Sequence, residues 1–178
     1  RNYEWARESI EALWADGIVK GDGNGNFRPE DGVTREEFTK MLVLVYGIEL
    51  ENAEIVFADV ADDAWYAPYV RTAYAVGITT GESKTSFGIG KKILRQDMAV
   101  MCARTLEQLG YGIESKADVD FKDTDSIDEY AKAAVARMKG IGIINGTDEG
   151  MFLPLDSANR AEAAKIIYGL RQYCEEKK

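Results

Sequence analysis

Residues 5–35 read WARESIEALWADGIVKGDGNGNFRPEDGVTR, and their pattern returns twice along the chain, displaced by 60 positions and then by a further 65. Trp5 falls on Trp65 and Tyr130, Ile10 on Val70 and Val135, and Gly17-Ile18 on Gly77-Ile78 and Gly142-Ile143. Gly21 falls on Gly81 and Gly146, Phe27 on Phe87 and Phe152, and Arg35 on Arg95 and Arg160, with no gap inside any copy. Such self-similarity marks a repeat architecture, in which one unit alone cannot bury its apolar face. The five extra residues of the second step fall around Tyr111 to Asp118, in a connection where a loop tolerates them. Phe57-Ala-Asp-Val of the second copy matches Phe121-Lys-Asp-Thr of the third. The first copy has no counterpart, so the chain is expected to begin just inside its first repeat. The repeats are placed at residues 1–50, 57–112 and 121–174, together forming one module.

Each copy reads as helix, glycine-punctuated loop, helix. In the first helix Trp5, Ser9, Ile10, Leu13 and Trp14 recur every three or four residues, which makes one face mostly apolar. Gly17, Gly77 and Gly142 follow that pattern where a left-handed C′ residue is required, and the Ile after each folds back on the last turn. Thr34 with Glu37, and Asn159 with Glu162, are capping pairs that open the second helix. Its core face is Phe38, Met41, Leu42 and Val45, then Met98, Met101, Cys102 and Thr105, then Ala163, Ile166, Ile167 and Leu170. Alternation of the strand type is not sustained anywhere, so the class is all-α with a few extended residues in loops. Three copies and no evident polar capping repeat favour a closed pseudo-threefold bundle over a linear stack. In that bundle the second helices meet, with Met41, Met101 and Ile166 at equivalent depths.

The bulk properties narrow the function. With 22 basic against 31 acidic residues, the net charge of −9 repels nucleic acid and anionic membranes. No apolar run is long enough to span a bilayer, so membrane insertion is not expected. There is no histidine, nucleophile motif or phosphate-binding loop, so an enzyme is not expected, and a small glycan-processing activity is a distant alternative. Asp22-Gly23-Asn24-Gly25-Asn26 starts like a calcium loop. It then has Phe27 where Gly is required and Val33 where a bidentate Glu is required, so a capped turn is the expectation and no metal or cofactor is implied. Cys102 is expected to fill core and Cys174 to be an exposed thiol.

The recurring aromatic-led helix, Gly-Ile, Gly-rich turn, Phe with Pro two residues on, and Thr-Arg-Ala-Glu-like helix start resemble the S-layer homology domain, in three copies over nearly the whole chain. The helix starts here are Thr34-Arg35-Glu36-Glu37, Leu94-Arg95-Gln96-Asp97 and Asn159-Arg160-Ala161-Glu162. The resemblance implies a three-pronged spindle at the bacterial cell surface, with one helix per repeat in the central bundle and grooves between repeats. It implies a non-catalytic anchor for secondary cell-wall polysaccharide, often bound through terminal pyruvylated N-acetylmannosamine, with peptidoglycan as another partner. Copy two departs from the pattern at Leu94, Glu82-Ser83-Lys84 and Ile89, so its site is expected to be the weakest.

The arginine shared by all three copies sits at the helix end where the macrodipole disfavours a cation. Unpaired N–H groups at a helix N-terminus, with a guanidinium beside them, form a receptor for a carboxylate such as a pyruvate ketal. Alternatively each arginine pairs with an acid of the adjacent repeat and fixes register. Trp5, Trp65 and Tyr130 are expected mainly as core at helical spacing, with stacking on a sugar ring as the lesser reading. The candidate ligand-binding set is therefore Arg35, Arg95 and Arg160, the capping residues Thr34, Glu37, Asn159 and Glu162, the three aromatics, and Gly21, Gly81 and Gly146. The competing function is a module that joins surface-layer protein subunits without touching glycan.

Overall fold

The computed structural model describes residues 2–112 and 120–177, so residues 113–118 of the connection discussed above lie outside the described residues. Among the described residues six α-helices form and there is no strand. They are α1 (Arg7–Ala15), α2 (Arg35–Val45), α3 (Ala67–Ala75), α4 (Arg95–Gln108), α5 (Glu129–Gly140) and α6 (Arg160–Glu176). Short 3₁₀ turns at Glu4–Ala6 and Thr124–Ser126 precede α1 and α5.

The punctuation acts as the sequence implies. Gly17, Gly77 and Gly142 take φ of +71°, +83° and +74°. In each case the glycine N–H and the next isoleucine N–H bond back to carbonyls of the last helical turn, for example Gly17 to Trp14 at 3.0 Å and Ile18 to Leu13 at 2.9 Å. Thr34 and Asn159 form full capping boxes with Glu37 and Glu162, whereas Leu94 at the start of α4 provides no side-chain cap.

The main helix pairings run between repeats. Each second helix packs on the first helix of the following repeat: α2 on α3, α4 on α5, and α6 back on α1. The last pairing joins the two ends of the chain and closes the bundle, and α2 also touches both α4 and α6. The axis is sealed by three equivalent loop residues. Val33 N–H donates to the Ala158 carbonyl at 3.1 Å, Ala158 N–H to Ile93 at 3.4 Å, and Ile93 N–H to Val33 at 2.9 Å. This ring of bonds leaves no free edge, and its three isolated bridges are the extended loop residues expected.

One main core runs through all three repeats and contains Leu13, Phe38, Met41, Leu42, Met98, Met101, Cys102, Ile167 and Leu170. Phe57, Val60, Val70 and Phe87 make a smaller cluster in the second repeat. Two expectations are corrected here. Cys174 is buried, because α6 continues to Glu176 and the thiol packs 3.7 Å from the Tyr46 hydroxyl. Trp5, Trp65 and Tyr130 are 47%, 53% and 58% exposed rather than core. They stand at or before the first helical turn, beyond the layer where the paired helices bury each other.

Candidate functional site

The three arginines hold the repeats together in a cycle. Nε of Arg35 donates to the Phe87 carbonyl at 2.9 Å, Nε of Arg95 to Phe152 at 2.8 Å, and Nε of Arg160 to Phe27 at 3.0 Å. Each guanidinium also lies over the ring of the same phenylalanine, 5.4, 5.5 and 4.6 Å from its centroid. The register-setting role is thus present in all three copies.

Most of the helix-start amides already have partners within the protein. The N–H groups of Arg35, Arg95 and Arg160 donate to carbonyls of Lys91, Asp156 and Asp31 at 3.0, 2.9 and 2.8 Å. Those of Gln96 and Ala161 donate to Pro154 and Pro29. Glu37 and Glu162 N–H go to their own caps, and the carboxylates of these residues accept from Thr34 and Asn159 N–H at 2.8 Å each. The amide part of the expected helix-end receptor is thus largely taken up by bonds within the protein.

Three grooves form at the N-terminal ends of the helix pairs, and each draws on all three repeats. One combines Arg160 of the third repeat, Lys20, Gly21, Glu37 and Lys40 of the first, and Trp65 of the second. The next combines Arg95, then Asn145, Gly146, Glu162 and Lys165, then Trp5. The last combines Arg35, then Thr80, Gly81, Asp97 and Val100, then Tyr130. Met41, Ile166 and Met101 line the three at equivalent positions. The departures of copy two, Glu82 and Leu94, consequently line the groove of Arg35, not that of Arg95.

The grooves differ in charge state. Arg35 is 5% exposed and its Nη1 lies 2.7 Å from Asp97. Arg95 faces Glu162 at 3.5 Å. Arg160 makes no ion pair among the described residues, its second contact being the Lys20 carbonyl at 2.6 Å. In its groove Lys20, Lys40 and Arg160 stand against Glu37 alone. A second cavity opens on the other side of Arg160, where Asp22 and Asp31 sit with Arg28 and Lys92. Lys40 holds its ammonium 5.4 Å over the Trp65 ring, as Lys165 does over Trp5 at 5.2 Å. Burial, and then the neighbouring Lys20, push the Lys40 pKa down.

These lysines were missed by sequence reasoning although a signal existed. Lys40 and Lys165 lie three residues after Glu37 and Glu162, one turn further along the same face, and the second copy breaks the series with Val100. The glycines have a structural cause. A Cβ on Gly146 would stand 2.5 Å from the Met151 carbonyl oxygen and 2.6 Å from Phe121, and one on Gly81 would stand 2.4 Å from Phe57. In the first repeat Trp14 fills the place of those phenylalanines against Gly21. The Asp22 loop is an Asx-type turn. Its carboxylate accepts from Asn24 N–H and from Arg28, and these together with Asn26 hold its pKa at about 2.

Comparison with known proteins agrees with the repeat. The S-layer homology domain matches residues 1–39, 56–99 and 120–164. Over 167 residues, 93% of the chain, it is 38% identical to Exoglucanase XynX of Acetivibrio thermocellus, of which it covers 15%. It is 30% identical over 169 residues to S-layer protein EA1 of Bacillus anthracis, covering 92% of this chain and 18% of that protein. It is 29% identical over 154 residues to the Cellulosome-anchoring protein of A. thermocellus, covering 84% of this chain and 34% of that protein. The chain thus spans about a third or less of each of these relatives, and the matched region is a non-catalytic module. Three matches in register with the internal repeat, across most of the sequence, make this chain a member of the S-layer homology domain family, a module of the bacterial cell surface.

Proposed function

We propose that the three repeats act as one unit that fastens a larger protein to the bacterial cell wall by binding an anionic secondary polysaccharide. The principal site is the Arg160 groove, and the terminal pyruvylated N-acetylmannosamine is its ligand. The observation that carries this reading is the concentration of Lys20, Lys40 and Arg160 below the exposed Trp65, in a chain whose net charge is −9. Three cations gathered in one groove repel one another, and an anionic ligand relieves that repulsion while the local charge overcomes the protein's overall negative field. A ketal carboxylate fits between the ammonium groups and the guanidinium, while the indole face takes the apolar side of the sugar ring. The Arg95 groove repeats the arginine, lysine and tryptophan and is the secondary site, weakened by Glu162.

Calorimetric titration with purified wall polysaccharide, before and after chemical removal of its pyruvate, tests the reading. The expected result is strong binding that is lost with the pyruvate. Equal binding of both polymers, or of neither, defeats it, and the second outcome leaves a module that joins surface-layer subunits.

A further inference from the structure

We propose that Asn145 is a self-modifying position: its side chain closes on the Gly146 nitrogen and hydrolyses to a carboxylate, which turns the Arg95 groove from accepting an anionic sugar to repelling it. The effect on binding rests on the glycan reading above, whereas the covalent change does not. Lys20, Thr80 and Asn145 are equivalent, each standing one place before the glycine shared by all three copies. Glycine is required at that next place in the third copy, because a Cβ on Gly146 would stand 2.5 Å from the Met151 carbonyl oxygen and 2.6 Å from Phe121. Asn145 is thus held in front of the one residue type whose missing side chain leaves its own backbone nitrogen unshielded.

The local geometry suits the reaction. Asn145 is exposed and lies with Gly146 in irregular backbone. The Gly146 N–H donates to no acceptor among the described residues, unlike that of Gly81, which donates to the Thr79 hydroxyl at 3.2 Å. The Asn145 amide is held by one bond from Nδ2 to the Gly142 carbonyl, at 3.3 Å longer than the usual N–H···O range. The Gly146 nitrogen gives up its proton and attacks Cγ of Asn145. The N–Cγ bond forms, the Cγ–Nδ2 bond breaks, and ammonia leaves with a proton. Water then opens the cyclic imide at either carbonyl, giving aspartate or, with the main chain rerouted through Cγ, isoaspartate. Water is the only other reactant.

The change falls on a groove of balanced charge. Arg95 and Lys165 line it against Asp156 and Glu162, so one further carboxylate leaves acids in excess where the Arg160 groove has Lys20. Like charges brought together in the groove repel, and an anionic sugar loses affinity there. The isoaspartate form also adds a carbon to the main chain beside Gly146, where the Met151 carbonyl and Phe121 leave no room for one.

The test holds the folded protein in mildly alkaline buffer and follows residue 145 by peptide mapping with mass spectrometry, beside the synthetic peptide Ile-Asn-Gly-Thr. Conversion of Asn145 to both acids is expected. If residue 145 is still wholly amide when the peptide has fully converted, the inference is wrong. Fresh and aged protein are then titrated with pyruvylated N-acetylmannosamine and read by NMR at the Trp5 and Trp65 indoles. Affinity at Trp5 is expected to fall roughly tenfold or more on ageing and in Asn145→Asp, while that at Trp65 is kept. Asn145→Thr, which places the second copy's residue here, is expected to show the same Trp5 affinity before and after ageing, although it retains the Asn24-Gly25 pair. Equal affinity at Trp5 for the parent and Asn145→Asp overturns the inference and leaves the glycan reading standing. If the sugar moves neither indole of the fresh protein, that reading falls and the loss of binding with it. Fresh and aged parent decide these outcomes even if Asn145→Asp does not fold.

Discussion

Nη1 of Arg35 lies 2.7 Å from Oδ2 of Asp97, an ion pair between first and second repeats that burial isolates from solvent. Its counterpart Arg160 occupies the same place in the cycle and pairs with no carboxylate among the described residues. One repeated residue thus has its charge matched by a carboxylate at one groove and held only by carbonyls and a ring at another. Asp97 accepts the guanidinium, whereas Glu37 at the equivalent place accepts from the N–H of its own cap Thr34.

Removing a single member of a buried pair leaves the other charge unmatched. Arg35→Ala is therefore expected to cost about 3 kcal/mol, or roughly 6–12 °C in unfolding midpoint. Arg160→Ala breaks bonds to the neutral carbonyls of Phe27 and Lys20 and the contact with the Phe27 ring, leaves no charge unmatched, and is expected to cost about 1–2 kcal/mol. Thermal unfolding of the two variants checks the order. A larger loss for Arg160→Ala is the contrary result.

Asp59 receives the N–H groups of Phe87, Gly88 and Ile89 at 2.8 to 3.1 Å, and the Ser86 hydroxyl at 3.1 Å. Burial pushes its pKa up, but these bonds outweigh it and hold the group at about 2. A folded-state pKa below the unfolded value of about 3.9 means stability that is complete above the unfolded value and lost as pH falls from about 4 towards 2. The residue is exposed, so screening limits the contribution to about 1 kcal/mol. Asp59→Asn is expected to lower stability at neutral pH and to flatten the acid limb, as measured by denaturant unfolding across that range. An unchanged acid limb refutes the assignment.

Gly146 has no positive φ, so glycine is required there by space, as it is at Gly21, whereas Gly81 also has a φ of +75°. Gly146→Ala sets a methyl against the Met151 carbonyl and the Phe121 ring and is expected to cost about 1–3 kcal/mol by overpacking. Equal stability of parent and variant in urea unfolding is the result that denies this.

The sequence disclosed local structure well and partnership poorly. Helix ends, caps and core faces depend on residues a few positions apart, and Gly17, Thr34 and Asn159 behave as their neighbours dictate. Which arginine meets which loop depends on how the ring closes, and Arg160 finds Phe27 across 133 positions of chain. Leu94 and Glu82 of the second copy accordingly line the groove of Arg35 from the first. The aromatics misled for a related reason. Helical spacing places Trp5 on the stripe of Leu13, but its position one turn outside the paired region leaves it over Lys165 in solvent.

Lys40 offers the most discriminating check on the principal groove. Burial and Lys20 lower its pKa in the free protein, and a bound carboxylate between the cations raises it again. Below the free-protein pKa the ammonium is already charged, and affinity does not change with pH. As pH rises through that value binding must also take up a proton, so affinity falls until the bound-state pKa is passed. The measurement is calorimetric titration with pyruvylated N-acetylmannosamine in buffers of different ionisation enthalpy, on the alkaline side but below the ordinary lysine pKa. Proton uptake is expected for the parent. Lys40→Met keeps the apolar stem against Trp65 and removes the charge. It is expected to bind roughly tenfold to a hundredfold more weakly, the loss of one charge-assisted contact, and to show no proton uptake. Weakened binding with proton uptake intact moves the titrating group elsewhere, and unchanged affinity removes Lys40 from the site.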